Sequence, residues 1–385
     1  MVDLTFFLLF LIMQMISSNT ETDQSILLFD EKESENEFAA SLYGPFGGYF
    51  EQMDEDELPL PTQTFAIEFS NYSLNYSLIN PQKCEAETNL FLFILSRPEA
   101  QYTRQQIRES WAANLNEHNA TVRFVVGWPL RYDFDRLLEE FLTFSDLILY
   151  DIEDTYANLY VKVYVSLQWQ RHFCDNAKFV LKTDDDSVVD VGRLRWWVDH
   201  EFARRVATHP ASVFGGMWKG VKVNREKTHR WYVPRTLYAA KRYPPYMNGP
   251  TYLLSNEAVK RILDVTAKVK AVPIEDILFT GILASKMQVH KFSAWKHFRY
   301  GKSLYAYEKC RNDSTDGRPV PYVIAIFGLS NPEKIRQAFD ELHSVNCSSS
   351  WLSIRRLLWQ KALNWWKELD DMKRVDNKMA KTPME

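Results

Sequence analysis

The segment from Leu90 to Asp186 constrains the fold most, because short apolar runs alternate with helical segments along it. The runs "LFLFILS", "VRFVVGW", "DLILYD" and "FVLKTDDD" are typical of buried strands. Between them lie "YTRQQIRESWA", "FDRLLEEFLTF" and "NLYVKVYVSLQWQRHF", which favour helices. This alternation predicts an α/β fold, with a mostly parallel sheet flanked by helices.

The last of these strands ends in three consecutive carboxylates, Asp184, Asp185 and Asp186. Ligands of open α/β sheets bind beyond the carboxyl ends of the strands, so the cluster lies where an active site is expected. Like charges this close resist ionising together, and a hard divalent cation with oxygen ligands removes the conflict. The sequence therefore indicates a Mg²⁺ or Mn²⁺ site, and a solvated acidic turn is the alternative.

The amino terminus carries an apolar run from Leu4 to Ile16. A membrane span needs about 20 residues, so the run suits the core of a signal peptide better. No basic residue precedes it, and Asp3 stands there instead. We therefore expect residues 1–18 to be either a cleaved signal peptide or a short uncleaved anchor. Both send the rest of the chain into the secretory lumen.

The sequons and the cysteines are also typical of a protein in the secretory lumen. Asn71 and Asn75 begin two acceptor sequons for N-glycosylation in a polar segment. The 4 cysteines could form two disulfides in an oxidising lumen, with the connectivity left open. The formal net charge of −4 gives no bulk attraction to nucleic acid.

The composition divides the rest of the chain into three parts. Residues 19–85 are acidic and lack a sustained period, which predicts a stem. Residues 86–320 form the main domain. Residues 321–385 form an extension, with a predicted strand at Tyr322–Ser330 and an amphipathic helix at Trp351–Arg374.

Several motifs in this order resemble the β-1,3-galactosyltransferase family, glycosyltransferase family 31. They are "RQQIRESW", "DIEDTYANLYVK", "KTDDD", "YPPYMNGPTYLLS" and "PIEDI". The resemblance runs from about Leu90 to Phe298, and it is strong because the motifs occur together in the family's order. It implies a GT-A-like nucleotide-sugar-binding fold for residues 86–320. It also implies a single-pass type II protein of the Golgi membrane with a lumenal catalytic domain, or a protein of the secretory lumen if the signal is cleaved.

The resemblance further implies an inverting transfer of galactose from UDP-galactose to a hydroxyl of a glycan on a glycoprotein or glycolipid. A single displacement needs no enzyme nucleophile. It needs a base for the acceptor hydroxyl and a group that holds the departing diphosphate, for which the family implies Mn²⁺. UDP-N-acetylglucosamine or UDP-N-acetylgalactosamine is the alternative donor. A non-catalytic relative that binds glycans or assists folding is the alternative from another class.

Carried over by resemblance, the metal ligands are Asp184 and Asp186, and the catalytic base is Asp276, with Glu275 as fallback. Both candidate bases lie at a predicted helix start, where the macrodipole favours ionisation, although they could instead only cap the helix. Donor contacts are assigned to Ser96, Arg104, Arg108, Lys162, Asp184, Asp185 and Gly249. The two arginines, four apart on one helical face, could instead pair with acidic residues of neighbouring elements. His290 and His297 are candidates for a third metal ligand.

The chain departs from the family pattern at several positions. Met247 stands where the family commonly has a cysteine, and the second family cysteine is absent from "EDILFTGIL". Thr251 replaces a glycine of the loop that lies near the donor and acceptor sugars in the family. These departures leave the donor and the acceptor pocket open.

Overall fold

A computed structural model describes residues 62–79, 81–129, 134–301, 310–311, 319–329, 331–345 and 347. The predicted signal segment, residues 19–61 of the predicted stem and the predicted helix Trp351–Arg374 lie outside the described residues. Within the described ranges, no helix has both the length and the apolar character needed to cross a membrane.

Strands and helices alternate along the chain. The strands of the described residues are β1 Thr62–Phe69, β2 Tyr72–Ile79, β3 Leu90–Leu95, β4 Ala120–Trp128, β5 Leu147–Glu153, β6 Phe179–Asp184, β7 Val188–Val189, β8 Ser212–Trp218, β9 Tyr246–Ser255, β10 His290–Ser293, β11 Phe298–Tyr300, β12 Cys310–Arg311, β13 Val320–Pro321 and β14 Ala325–Phe327. The α-helices are α1 Gln101–Arg108, α2 Phe134–Phe144, α3 Leu159–Phe173, α4 Val191–Trp197, α5 Ala203–Thr208, α6 Asn256–Asp264, α7 Ala284–Lys286 and α8 Lys334–His343. Two π-helices, Val198–Phe202 and Ile277–Leu283, lead into α5 and α7, and 3₁₀ turns occupy Leu115–His118 and Thr266–Lys268.

The main sheet has nine strands in the order β1-β2-β5-β4-β3-β6-β9-β8-β10. Its four neighbours β5, β4, β3 and β6 run parallel, as the alternation predicts. β9 pairs antiparallel with both β6 and β8, and β2 pairs antiparallel with β1 and β5. The sheet is therefore parallel at its centre and mixed as a whole, and the predicted α/β class is confirmed.

Helices cover both faces of the sheet, which explains the continuous apolar strands. On β3, Phe91 and Phe93 belong to a core cluster shared with α3 and α6. Leu92 and Ile94 belong to the cluster on the other face, shared with α1, α2, α4 and α8. Side chains of successive strand residues point to opposite faces, so both sides of β3 are buried.

The prediction of a stem is wrong for residues 62–79. These residues form the hairpin β1-β2, which joins the sheet where Leu78 pairs with Tyr150. Ile67, Tyr76 and Leu78 are buried in the core. The hairpin was missed because its apolar residues alternate with polar ones directly after the acidic run 51–57, and because the pair that joins it to the sheet, Leu78 with Tyr150, is far apart along the chain.

The predicted carboxyl-terminal extension is part of the main core in the described residues. β14, inside the predicted strand Tyr322–Ser330, pairs with β7 and with β11. The unexpected helix α8 buries Ile335 and Leu342 in the same cluster. The boundary predicted at residue 320 therefore does not separate two packing units.

The cysteines form two disulfides, as expected, and the structure gives their connectivity. Cys84 is bonded to Cys174, and Cys310 is bonded to Cys347. The first disulfide ties the segment after the hairpin to the residue that follows α3. The second links β12 to the segment after α8.

Arg104 and Arg108 lie on one face of α1, but both bind acidic residues inside the fold. Arg104 Nε and Nη2 donate to the two carboxylate oxygens of Glu140 on α2, at 2.8 and 2.6 Å. Both side chains are 0% exposed. Arg108 makes the equivalent pair of 2.8 Å bonds with Asp146. The structure therefore favours the structural alternative for both arginines over the predicted contact with the donor.

We expect Arg104→Met to lower the free energy of unfolding by about 1–3 kcal/mol, because the buried Glu140 would keep only Arg108 as a partner and the carbonyls of Arg97 and Pro98 would lose their donor. Urea denaturation measures the change. The matched control is Arg261→Met, which breaks an exposed pair with Glu257 and should cost about 1 kcal/mol or less. Unchanged stability with weakened UDP binding would contradict the structural role and restore the contact with the donor.

Candidate active site

The candidate site lies at the carboxyl ends of β3 and β6, which pair in parallel. Leu95 pairs with Asp184, so the chain leaves both strands side by side at their carboxyl ends. Ser96 Oγ donates a 2.8 Å hydrogen bond to Asp185 Oδ2. Burial raises the pKa of Asp185, and the bond from Ser96 partly offsets that rise.

The buried Arg104 holds Ser96 in position for this contact. Its Nη1 donates to Ser96 Oγ at 3.0 Å and to the carbonyl of Arg97 at 2.5 Å, and its Nη2 donates to the carbonyl of Pro98 at 3.0 Å. Arg104 therefore fixes the turn that presents Ser96, and it acts on the site through that turn.

Lys162 links the ends of neighbouring strands. Its Nζ lies 2.6 and 2.8 Å from the carboxylate oxygens of Asp154 and donates to the carbonyl of Ser96 at 2.7 Å. Asp154 Oδ2 also accepts a bond from the amide of Gly127 at the end of β4. Lys162 is 2% exposed, so the structure uses it as an internal salt-bridge partner.

The ammonium group of Lys182 joins the aspartate cluster to the predicted base motif. It is fully buried and lies 2.5 Å from Asp184 Oδ1 and 3.2 Å from Glu275 Oε1. It also donates to the carbonyl of Gly249 at 2.7 Å. Burial lowers the pKa of Lys182, but the charges of Asp184 and Glu275 outweigh it and hold the pKa above its usual value. One cation thus compensates two carboxylates from different parts of the chain.

Glu275 and Asp276 have different surroundings although they are adjacent. Glu275 accepts from Lys182 through Oε1 and from the Tyr252 hydroxyl through Oε2, at 2.9 Å. Asp276 Oδ1 accepts a 2.8 Å bond from the amide of Ile277, at the start of the π-helix. Its Oδ2 faces Gly249, where an added Cβ would lie 3.2 Å away. Gly249 therefore allows β9 to pass close to both carboxylates.

Burial and the neighbouring charge of Glu275 raise the pKa of Asp276 to about 8. The amide of Ile277 lowers the pKa but does not outweigh burial. Burial therefore opposes the ionisation of Asp276 that we expected the helix start to favour. Burial also raises the pKa of Glu275, and Lys182 partly offsets that rise.

Asp186 is partly buried beside two other carboxylates of the cluster. Burial, followed by the charges of Asp184 and Asp185, raises its pKa to about 7. Its backbone carbonyl accepts a 3.0 Å bond from the amide of Leu329, so the segment after β14 covers this side of the site.

Asp184 and Asp186 could supply some, but not all, of the ligands that a divalent cation needs. Their oxygen donors suit a hard cation, and a cation would relieve the conflict that raises the pKa of Asp186. Across the described ranges, no group of three His, Cys, Asp or Glu residues could hold a metal ion. The remaining ligands would therefore have to come from a substrate.

The structure does not bring His290 or His297 into such a group. His297 is buried against Trp197 and Phe202, and burial lowers its pKa to about 4. His290 is exposed on the edge strand β10, and its ring packs at a tilt against that of His209, with the ring centroids 4.0 Å apart.

Two of the departures from the family pattern, Thr251 and Met247, are packed inside the sheet. Thr251 is 1% exposed, and its hydroxyl forms a 2.9 Å hydrogen bond with that of Thr183 on β6. Met247 is buried, and an added Cβ on Gly215 would lie 2.9 Å from its Cβ.

The sequence did not indicate that Tyr252 would bind Glu275, because an aromatic residue in an apolar strand is typical of core packing.

The chain is similar in sequence to known galactosyltransferases. The chain is 26% identical over 283 residues to beta-1,3-galactosyltransferase 1 of Mus musculus and of Homo sapiens, covering 71% of this chain and 80% of each relative. It is 26% identical over 251 residues to beta-1,3-galactosyltransferase 2 of Homo sapiens, covering 63% of this chain and 58% of that protein.

Solved structures give weaker matches. The galactosyltransferase LgtC in complex with donor and acceptor sugar analogs matches with a TM-score of 0.34 and 12% identity, over 68% of this chain and 98% of that one. S. aureus TarS 1-349 matches with a TM-score of 0.32 and 12% identity, over 66% and 71%.

The family comparison spans the site itself. The Galactosyltransferase family model matches residues 102–294, half of the chain, which include Lys182, the aspartate cluster, Gly249, Glu275 and Asp276. The chain therefore belongs to the Galactosyltransferase family.

Proposed function

We propose that this protein is an inverting β-1,3-glycosyltransferase that moves a hexose from a UDP-sugar to a hydroxyl of a glycan acceptor. The observation that carries the proposal is the buried Lys182, which bonds to Asp184 and Glu275 together. The carboxylate expected to meet the nucleotide and the carboxylate adjacent to the proposed base Asp276 thus belong to one network. UDP-galactose is the first candidate donor, because the relatives reported above are named galactosyltransferases.

Asp276 is proposed as the base. The proton of the acceptor hydroxyl would pass to a carboxylate oxygen of Asp276 as that hydroxyl attacks the anomeric carbon of the donor, and the bond from that carbon to the UDP oxygen would break, so that UDP leaves. A general base works best when its pKa lies near the operating pH, and the pKa of Asp276 is raised to about 8. Glu275 is less suited, since Lys182 and Tyr252 already occupy its oxygens.

Asp184 and Asp186 are proposed to hold Mn²⁺ together with the donor's diphosphate. When bound, the ion would neutralise the charge that grows on the departing UDP. Asp185 would stay ordered beside it through the hydrogen bond from Ser96.

We also propose that the site works in the lumen of the secretory pathway, at the Golgi membrane. The two disulfides favour an oxidising compartment. Attachment to the membrane through residues 1–18 rests on the sequence alone, because those residues lie outside the described ranges.

The first test is a transfer assay with the secreted chain, Mn²⁺, each UDP-sugar in turn and a panel of glycan acceptors. We expect UDP release from one donor that depends on the acceptor. Asp276→Asn should lower kcat by about 10²–10⁴-fold, because the base is lost while the shape is kept.

Asn116→Asp, a change at an exposed position outside the site, is the control for handling and folding of the variants. If UDP binds but no donor turns over across a broad panel, the catalytic proposal fails and the binding or chaperone alternative replaces it. Turnover with UDP-N-acetylglucosamine or UDP-N-acetylgalactosamine alone would correct the donor.

The pH profile tests the base separately. The groups that set the charge around Asp276 are Glu275, Lys182, Asp184, Tyr243, Tyr246 and Tyr252. Because Asp276 must be ionised to accept a proton and its pKa is about 8, kcat/KM should fall about tenfold per pH unit below that pKa. A flat profile from about pH 6 to 9 would argue against Asp276 as the base.

Metal dependence is the third test. Asp186→Asn removes a carboxylate charge without changing size, so we expect the Mn²⁺-dependent part of UDP affinity to be lost in calorimetric titrations. UDP affinity in a chelator should stay close to that of the unchanged protein. If UDP binds equally well with and without Mn²⁺ in the unchanged protein, the metal proposal is wrong.

A further inference from the structure

One buried amide near the site lacks a hydrogen-bond partner. Asn248 is 8% exposed, and its Nδ2 contacts no hydrogen-bond acceptor among the described residues. Leaving a buried donor unpaired costs free energy, so such a group requires an explanation. A ligand that supplies an oxygen would provide one.

The orientation of this amide is fixed by its neighbour. Asn248 Oδ1 accepts a 3.1 Å hydrogen bond from Trp218 Nε1. An indole nitrogen can only donate, so the atom that faces it must be the amide oxygen. The unpaired atom is therefore the NH₂ group, which can donate two hydrogen bonds.

One indole ring binds this amide, and a second indole ring packs against the first. Trp218 and Trp295 are both partly exposed, and their rings meet edge to face at 5.4 Å. Trp295 Nε1 donates to the carbonyl of Met217 at 3.2 Å. Its ring lies against Gly216, where an added Cβ would come within 2.7 Å. The backbone thus holds Trp295 in place, with part of its surface open to solvent.

The amide lies one residue along β9 from the residue that faces the proposed base. Asn248 directly precedes Gly249, where an added Cβ would lie 3.2 Å from both Asp276 Oδ2 and Glu275 Oε1. Sugar-sized ligands bind where aromatic surface combines with a few fixed polar groups. The Asn248 amide with the two indole rings has this composition.

We infer that Asn248, Trp218 and Trp295 form a hexose subsite in which Asn248 Nδ2 donates to an oxygen of the sugar and the indole rings contact its C–H surface. The inference rests on the proposed function, since it concerns one of the two sugars that meet at Asp276. The shared chemistry is a pyranose with a hydroxyl or N-acetyl oxygen in reach of the amide. The donor hexose and the acceptor sugar are the two sources.

Asn248→Asp isolates the amide donor. The variant keeps the shape and an oxygen for Trp218 Nε1, and it removes the NH₂ group. Asn89→Asp, at the amino end of β3, is the matched control, because it makes the same chemical change away from the site. Calorimetric titrations in Mn²⁺ would use UDP, UDP-galactose, methyl β-galactoside and methyl N-acetyl-β-glucosaminide as probes.

We expect Asn248→Asp to weaken binding of one sugar probe by about tenfold while UDP binding stays unchanged. A loss confined to UDP-galactose assigns the subsite to the donor hexose, and a loss confined to a methyl glycoside assigns it to the acceptor. Asn248→Gln, which retains the NH₂ group, should recover part of the loss. Thermal unfolding checks that each variant is folded, and Trp218→Phe, which frees the amide to rotate, replaces Asn248→Asp if that variant does not fold.

Two results would overturn the inference while leaving the proposed function intact. One is unchanged sugar binding in Asn248→Asp when the unchanged protein transfers sugar. The other is an equal loss of UDP binding, which would mean that the substitution disturbs the nucleotide site. If the unchanged protein binds neither UDP nor any sugar probe, the proposed function and the subsite both fail.

Discussion

The buried ammonium group of Lys182 is the interaction on which the site depends. It bonds to three segments at once: its own strand end through Asp184, β9 through the carbonyl of Gly249, and the π-helix start through Glu275. Removing one partner of a buried ion pair leaves an uncompensated charge, so each segment constrains the other two. The antiparallel pairing of β9 with β6 is what brings Gly249 within reach of this cation.

This network explains how the fold accommodates three consecutive aspartates. Asp184 is compensated by Lys182, and Asp185 is held by Ser96, which Arg104 positions through its pairing with Glu140. The pKa of Asp186 is raised to about 7 by burial and by its two neighbours. The three positions are therefore chemically distinct, although the sequence repeats the same residue.

The sequence predicted the elements whose signals are local. Strands β3 to β6 and helices α1 to α3 were predicted because each carries its own apolar pattern. The hairpin β1-β2, which was predicted as stem, joins the sheet through a strand far along the chain. Strand β14 was predicted as part of the longer strand Tyr322–Ser330, but it spans three residues and its pairing with β7 was not foreseen. The site residues could be named from motifs, but the partners of Arg104 and the raised pKa of Asp276 follow from burial, which a motif does not report.

The contrast between Glu275 and Asp276 is the clearest consequence of that burial. Adjacent carboxyl groups at one helix start would be equivalent if the macrodipole alone set their charge. Lys182 and Tyr252 instead bind both oxygens of Glu275, and its charge contributes to the raised pKa of Asp276. Proteins can give two nearby titratable groups different surroundings, so that one group keeps a structural role and the other acts as an acid or a base. Lys182 thus affects the pKa of Asp276 indirectly, because it holds the Glu275 carboxylate beside it.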